Sequence, residues 1–215
     1  MSSEQKILGK TVQWEGKWLR AEKVTYIAAD GQERAWEGVS RTGVGTAVGI
    51  VTIIPKSEQV EEMGIVLIQQ WRPLLGKYVL EMPAGLVDEG EIPALAGIRE
   101  LMEETGFDDV KAIKCYGEST SSSGLTDETR STLVAMVKGM PGEQNLDETE
   151  SIEVHMVSLA YLNKFIEVNE NRGILIDSSV RSLAIGMKLQ QLVEAKPEGE
   201  AQTAEKMKEI FTNGN

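Results

Sequence analysis

Cysteine is nearly absent. Cys115 is the single one in 215 residues, so no intrachain disulfide can form. A reducing compartment is the simplest inference. Basic residues are scarce beside acids, 22 against 34, which leaves a net charge of −12. That balance argues against a nucleic-acid duplex or an anionic membrane surface as partner. It leaves phosphate esters open, because a bound metal ion reverses the sign inside a site. Long apolar runs are also missing. No segment approaches a membrane span, and residues 1–10 lack the apolar core of a signal peptide. The reading is a cytoplasmic protein, with a nuclear share left open. Internal repeats are absent as well.

What is present fits an ordinary globular chain. Hydrophobic residues make up 41% of it, and the length suits one domain plus an accessory element. Residues 18–27 and 33–41 read as two strands joined by a hairpin, with Asp30-Gly31 as the turn signal. Further strands are expected at 46–54, 65–70, 79–82, 110–117, 130–138 and 152–158. Pro93 and Gly106 suit the first turn and the stop of a helix over 92–104. Ser158 is a candidate cap for a helix to about 168, and Asp177 or Ser178 for another. Residues 139–150 form an acidic, turn-rich loop. The expected division is an N-terminal β element over 1–44, a main domain over 45–195 and a polar tail over 196–215.

The informative stretch is 85–107, G-L-V-D-E-G-E-I-P-A-L-A-G-I-R-E-L-M-E-E-T-G-F. Glu100, Glu103 and Glu104 stand at i, i+3 and i+4, which puts three carboxylates on one helix face. Such a face repels itself, and a divalent cation removes the repulsion. Hard oxygen ligands suit Mg²⁺ or Mn²⁺, ions that serve phosphate chemistry. A solvated acidic face is the plain alternative. The rest of the segment lowers it: Gly85, five residues, Glu91, seven residues, then Arg99-Glu100, apolar Leu101, Glu103-Glu104, Gly106 and apolar Phe107. This resembles the Nudix box at every defining position.

The resemblance implies an α/β fold: an α/β/α sandwich around a mixed sheet. It implies hydrolysis of a phosphoanhydride with Mg²⁺, or Mn²⁺ in its place. Glu100 and Glu104 would be the main metal ligands, with Glu103 assisting and the backbone carbonyl of Ala84 adding an oxygen. Arg99 would anchor the glutamates, at the spacing of a helix ion pair to Glu103. Glu91 would hold loop to helix, with no chemistry of its own. Glu150 and Glu153 are candidates for a general base. The segment Glu150-Ser151-Ile152-Glu153-Val154 resembles the E-x-x-E-V element of the ADP-ribose pyrophosphatase branch, which favours Glu150, near the metals on a mobile loop.

The likeness reaches beyond the box. Glu15-Gly16-Lys17-Trp18, Arg34-Ala35-Trp36-Glu37, Val39-Ser40-Arg41-Thr42, Gln70-Trp71-Arg72-Pro73 and Glu81-Met82-Pro83-Ala84-Gly85 resemble eukaryotic ADP-sugar pyrophosphatases. It implies a homodimer with shared active sites, the N-terminal hairpin crossing to the partner. Trp18 and Trp36, one from each subunit, would sandwich the adenine. Arg41 and Arg72 would contact phosphates or the terminal ribose, Glu37 the base or sugar, and Gly124 and Leu125 the substrate from their loop. There Ser122-Ser123-Gly124 replaces the Ser-Pro-Gly or Asp-Pro-Gly common in that family, and Val48 stands where some relatives have aspartate. The leading expectation is a nucleoside-diphosphate-sugar hydrolase, ADP-ribose giving AMP and ribose 5-phosphate. Two readings stand beside it: hydrolysis of another ADP- or UDP-sugar, dinucleotide or oxidised nucleotide, and a non-catalytic nucleotide sensor.

Overall fold

The computed structural model describes residues 4–43, 45–58 and 60–194. A fork in its main sheet positions everything that follows. β4 (Thr46–Ile54) and β5 (Gly64–Arg72) are rich in Val and Ile, and β5 is buried over its first seven residues. They pair only where Thr52–Ile54 meets Gly64–Val66. Beyond that the strands part, and one short run fills the gap. β6 (Lys77–Glu81) continues along β5, and β7 (Ala84–Leu86) along β4. Pro83 sits at the join, its carbonyl accepting from Ile50 N at 2.8 Å. Proline has no N–H to offer a ladder, so a join between strands suits it.

The outer strands complete a mixed sheet of eight. β9 (Thr129–Lys138) runs parallel to β4 and antiparallel to β8 (Asp109–Thr120). β10 (Ile152–Ser158) lies antiparallel on β5, and β11 (Leu175–Ile176) parallel to β6. Alternation along β4 divides the core between the two faces. Val48 and Ile50 pack with Ala96 and Leu101 of α1 (Pro93–Thr105), and Val51 turns to the other side. That side holds Leu162 and Ile166 of α2 (Leu162–Asn171) and Val180 and Ala184 of α3 (Ser178–Glu194). The result is the expected α/β/α sandwich.

A separate antiparallel sheet precedes it, in the order β1 (Lys6–Glu15), β2 (Leu19–Ile27), β3 (Glu33–Arg41). The Asp30-Gly31 turn joins β2 to β3, with Gly31 at φ 80° as such a turn requires. Two expectations need correction. The N-terminal element has three strands, where two were read. All ten residues of β1 are exposed, so its sequence has no buried face to announce it. And α2 starts at Leu162, with Ser158 standing clear of it. The Ser158 hydroxyl bonds to the Glu62 carboxylate and caps nothing. Asp177 does cap α3, accepting from Ser179 N at 2.8 Å. The tail read over 196–215 lies outside the described residues. Among the described residues no helix is long and apolar enough to cross a membrane.

Candidate active site

α1 begins at Pro93 and stops at Gly106, whose φ of 73° turns its N–H back to Met102 O at 2.9 Å. Gly106 also lies against Gly142, where a Cβ would meet the carbonyl oxygen at 2.5 Å. The helix is therefore fixed at its C-terminal end, and its acidic face meets the β6–β7 join. Glu104 is the most enclosed of the three acids, at 3% exposure. Its carboxylate accepts from Ala84 N at 3.0 Å. Burial, with the charges of Glu100 and Glu150 adding to it, pushes the Glu104 carboxyl up to about 8. Glu100 fills the space beside Gly85, where a Cβ would come within 1.9 Å of its carboxyl carbon. Burial raises this carboxyl too.

Arg99 binds more than the expected Glu103. It donates to both Glu91 oxygens at 3.2 and 2.9 Å, to Glu100 at 2.8 Å, to Glu103 at 3.2 Å and to the Leu86 carbonyl at 3.1 Å. One guanidinium thus ties the loop before α1 to two of its glutamates. Hydrogen bonding to Arg99 holds Glu91 below the usual carboxylate range.

Glu150 is exposed on the 139–150 loop and accepts from Asp147 N at 3.2 Å. Its charge is felt by Glu100, Glu104 and Arg72. Glu153 is on the other face of the sheet. It lies 3.4 Å from Gln69 Nε2 and 3.8 Å from His155, whose ring packs on Phe165 of α2 at 5.3 Å. That geometry removes Glu153 from the candidates for a base. Glu81 was not singled out in the sequence. It grips Arg72, with Nε donating at 2.8 Å and Nη2 to the second oxygen, and Gln70 Nε2 lies 3.4 Å away. The available signal was its period: an acid two residues past the buried Val79 of a strand shares that residue's inward face.

The remaining residues gather around the N-terminal sheet. Trp36 Nε1 donates to the Gly124 carbonyl at 3.1 Å, and Val39 N to that of Leu125 at 2.8 Å. Arg41 forms a close ion pair with Glu128. Glu37 is exposed, and Lys17 Nζ lies 4.4 Å above the ring of Trp18. Trp18 and Trp36 are exposed by 68% and 54%. They do not face each other. Thr42 N donates to Trp18 O at 3.1 Å, which sets Trp18 six residues from Trp36 along β3. That is about 20 Å of strand.

The box residues suit a hard divalent cation by their chemistry. All the donors are oxygens, and the cluster carries four carboxylates, the buried Glu104 with Glu100, Glu103 and Glu150. Among the described residues no three His, Cys, Asp or Glu side chains stand ready as a metal cage. Arg99 draws Glu100 and Glu103 to itself, and the Ala84 N–H holds Glu104.

The family model described as NUDIX domain matches residues 44–177. An ADP-sugar pyrophosphatase of Mus musculus is 36% identical over 127 residues, 58% of each chain. An ADP-ribose pyrophosphatase of Saccharomyces cerevisiae is 32% identical over 181 residues, 80% of this chain and 77% of that one. A crystal structure of an ADP compounds hydrolase superposes with a TM-score of 0.59 at 24% identity, covering 78% of this chain and 85% of the other. The match spans the forked sheet, α1 and its whole run of box residues, and the chain belongs to the NUDIX family of hydrolases.

Proposed function

We propose that the protein hydrolyses the pyrophosphate bond of an ADP-sugar, with ADP-ribose as substrate and AMP and ribose 5-phosphate as products. The carrying observation is the buried Glu104 among Glu100, Glu103 and Glu150 at the fork, where Arg72 brings positive charge. The names of the mouse and yeast relatives favour the ADP moiety. Glu100, Glu103, Glu104 and the Ala84 carbonyl would hold Mg²⁺, or Mn²⁺. Bound there, the ion neutralises phosphate charge and lowers the pKa of water. Glu150, exposed on its loop, is free to swing in and take the proton from the attacking water. Arg72 and Arg41 are oriented by Glu81 and Glu128, and the N–H donors these carboxylates leave free would meet the phosphates.

The same reading makes the protein a homodimer in the cytoplasm, divided into the element 1–44, the hydrolase domain 45–195 and the tail 196–215. Trp18 and Trp36 lie too far apart in one chain to clasp a single base, so the sandwich takes one from each copy. Glu37, Gly124 and Leu125 line the same end of the substrate. The exposed Ile7, Val12 and Trp14 of β1 give the second copy an apolar face to cover.

The test is Mg²⁺-dependent release of AMP from ADP-ribose, with Glu104→Gln as control. AMP release that survives the substitution within a few-fold would remove the metal assignment. A second reading keeps the chemistry and changes the compound to another nucleoside diphosphate derivative. Ser123, at the place of the family's proline, favours it. A panel of ADP- and UDP-sugars, dinucleotides and oxidised nucleotides separates the two.

A further inference from the structure

We propose that the cleft between β9 and the start of α3 is an oxyanion subsite built on Arg130, which takes the phosphate group of a small phosphorylated molecule. The cleft encloses about 350 Å³. Arg130 and Thr132 line it from β9, Ser119 and Ser121 from the end of β8, and Ser178 and Ser182 from the first turns of α3. Although the chain has 34 acids, no Asp or Glu lines this cleft among the described residues.

Arg130 and Arg172 are the two arginines that hold no carboxylate among the described residues, and Arg130 is the one in this cleft. Arg41, Arg72, Arg99 and Arg181 each hold a carboxylate. The Arg130 guanidinium has no ion pair or hydrogen bond among the described residues. It is half-buried, and it lies flat on β4 at Gly49, where a Cβ would come within 1.8 Å of Nη2. Only glycine leaves room for it there. Ser119 Oγ donates to the Arg130 carbonyl at 3.0 Å and so steadies its backbone. The hydroxyls of Thr132, Ser178 and Ser182 have no hydrogen-bond partner among the described residues. A planar guanidinium with several hydroxyl donors is the chemistry of phosphate recognition, and the carboxylate at the start of α3, Asp177, is already taken by the N–H and hydroxyl of Ser179.

The cleft is also close to the box. Gly49 pairs with Ala84, whose N–H holds Glu104. One strand thus separates the two sites, and Val51 and Met82 carry the cleft wall on the α3 side of the sheet. The phosphate could belong to the sugar end of the substrate or its product, or it could be free inorganic phosphate acting on the enzyme. The subsite stands without the hydrolase reading, and its coupling to turnover rests on that reading.

The experiment starts with the metal-free full chain and no substrate. Inorganic phosphate and ribose 5-phosphate are titrated by calorimetry into the parent, Arg130→Gln and Thr132→Val. Circular dichroism checks the fold of each. The expected result is one phosphate site, weakened about tenfold or more in Arg130→Gln. Equal phosphate affinity in the parent and a folded Arg130→Gln overturns the subsite. Should Arg130→Gln not fold, the smaller loss expected of Thr132→Val decides, and unchanged affinity there overturns the subsite as well. Ribose 5-phosphate binding more tightly than inorganic phosphate, with the difference lost in Arg130→Gln, assigns the site to the sugar end. Equal affinity assigns it to free phosphate. Absent ADP-ribose turnover with intact phosphate binding sinks the hydrolase reading and leaves the subsite standing.

Discussion

At the scale of single residues, Glu104 makes the metal-free protein sensitive to pH. Its folded carboxyl titrates near 8, against an ordinary value of 4.5. Between those values the folded protein keeps a proton that the unfolded chain has released. Stability therefore falls as pH rises through that window, and the contribution is whole only below it. The expected outcome is a thermal midpoint that drops between about pH 5 and about pH 8 in the chelated protein. Glu104→Gln should flatten the drop, and Mg²⁺ should raise the midpoint most at the alkaline end. A parent and Glu104→Gln with parallel profiles would place the effect elsewhere. Gly85 offers a second test. In Gly85→Ala the new methyl would displace the Glu100 carboxyl group, since they would stand 1.9 Å apart. A misplaced ligand of this kind costs about a hundredfold in turnover. The far-ultraviolet dichroism should not change, because the strand backbone tolerates alanine.

At the scale of elements, the 122–126 loop is the part most open to change. Leu125 N and Thr126 N both donate to Ser122 O, at 2.9 and 3.0 Å, so Ser123 is the second residue of a tight turn. Proline is favoured at that place. Ser123→Pro should fold normally, stiffen the turn and narrow selectivity toward ADP-ribose over ADP-glucose and ADP-mannose. Equal kcat/KM ratios for parent and variant across those sugars would show the serine to be neutral. The elements also show which parts of the sequence could be read. α1 was legible within a residue at each end, because Pro93 and Gly106 act locally. β1 was not, since all its residues are exposed and no alternation marks it. β7 and β11, of three and two residues, are too short for any period to register. The box glutamates were legible because their spacing is their geometry. Glu81 and Arg130 were not, because their roles depend on side-chain contacts with residues of other strands, Arg72 of β5 and Gly49 of β4.

At the scale of the whole molecule, the N-terminal sheet is the part whose burial is unfinished. Ile7, Val12, Trp14, Trp18 and Trp36 are all at least 47% exposed on one small element, an apolar surface that a second copy would cover. Light scattering should find a dimer at micromolar concentration, and removal of residues 1–44 should give a monomer with little affinity for ADP-ribose. A monomeric parent would end this reading. Trp36→Ala should raise KM about tenfold or more and leave kcat less affected, as expected for stacking equal in ground and transition states. The small sheet also holds the 124–126 loop in a particular way. Its contacts there, from Trp36 Nε1 to Gly124 O, from Val39 N to Leu125 O, and from Val39 to Thr126 as a parallel bridge, all end on main-chain atoms of the loop. The side chain of Leu125 is thus released from the task of anchoring it, while the Thr126 hydroxyl accepts from Glu128 N at 3.1 Å. Mutation at Ser123 or Leu125 can change the side chain without unfastening the loop. If the loop meets the substrate as proposed, the range of compounds accepted can drift between descendants while the architecture stays as it is.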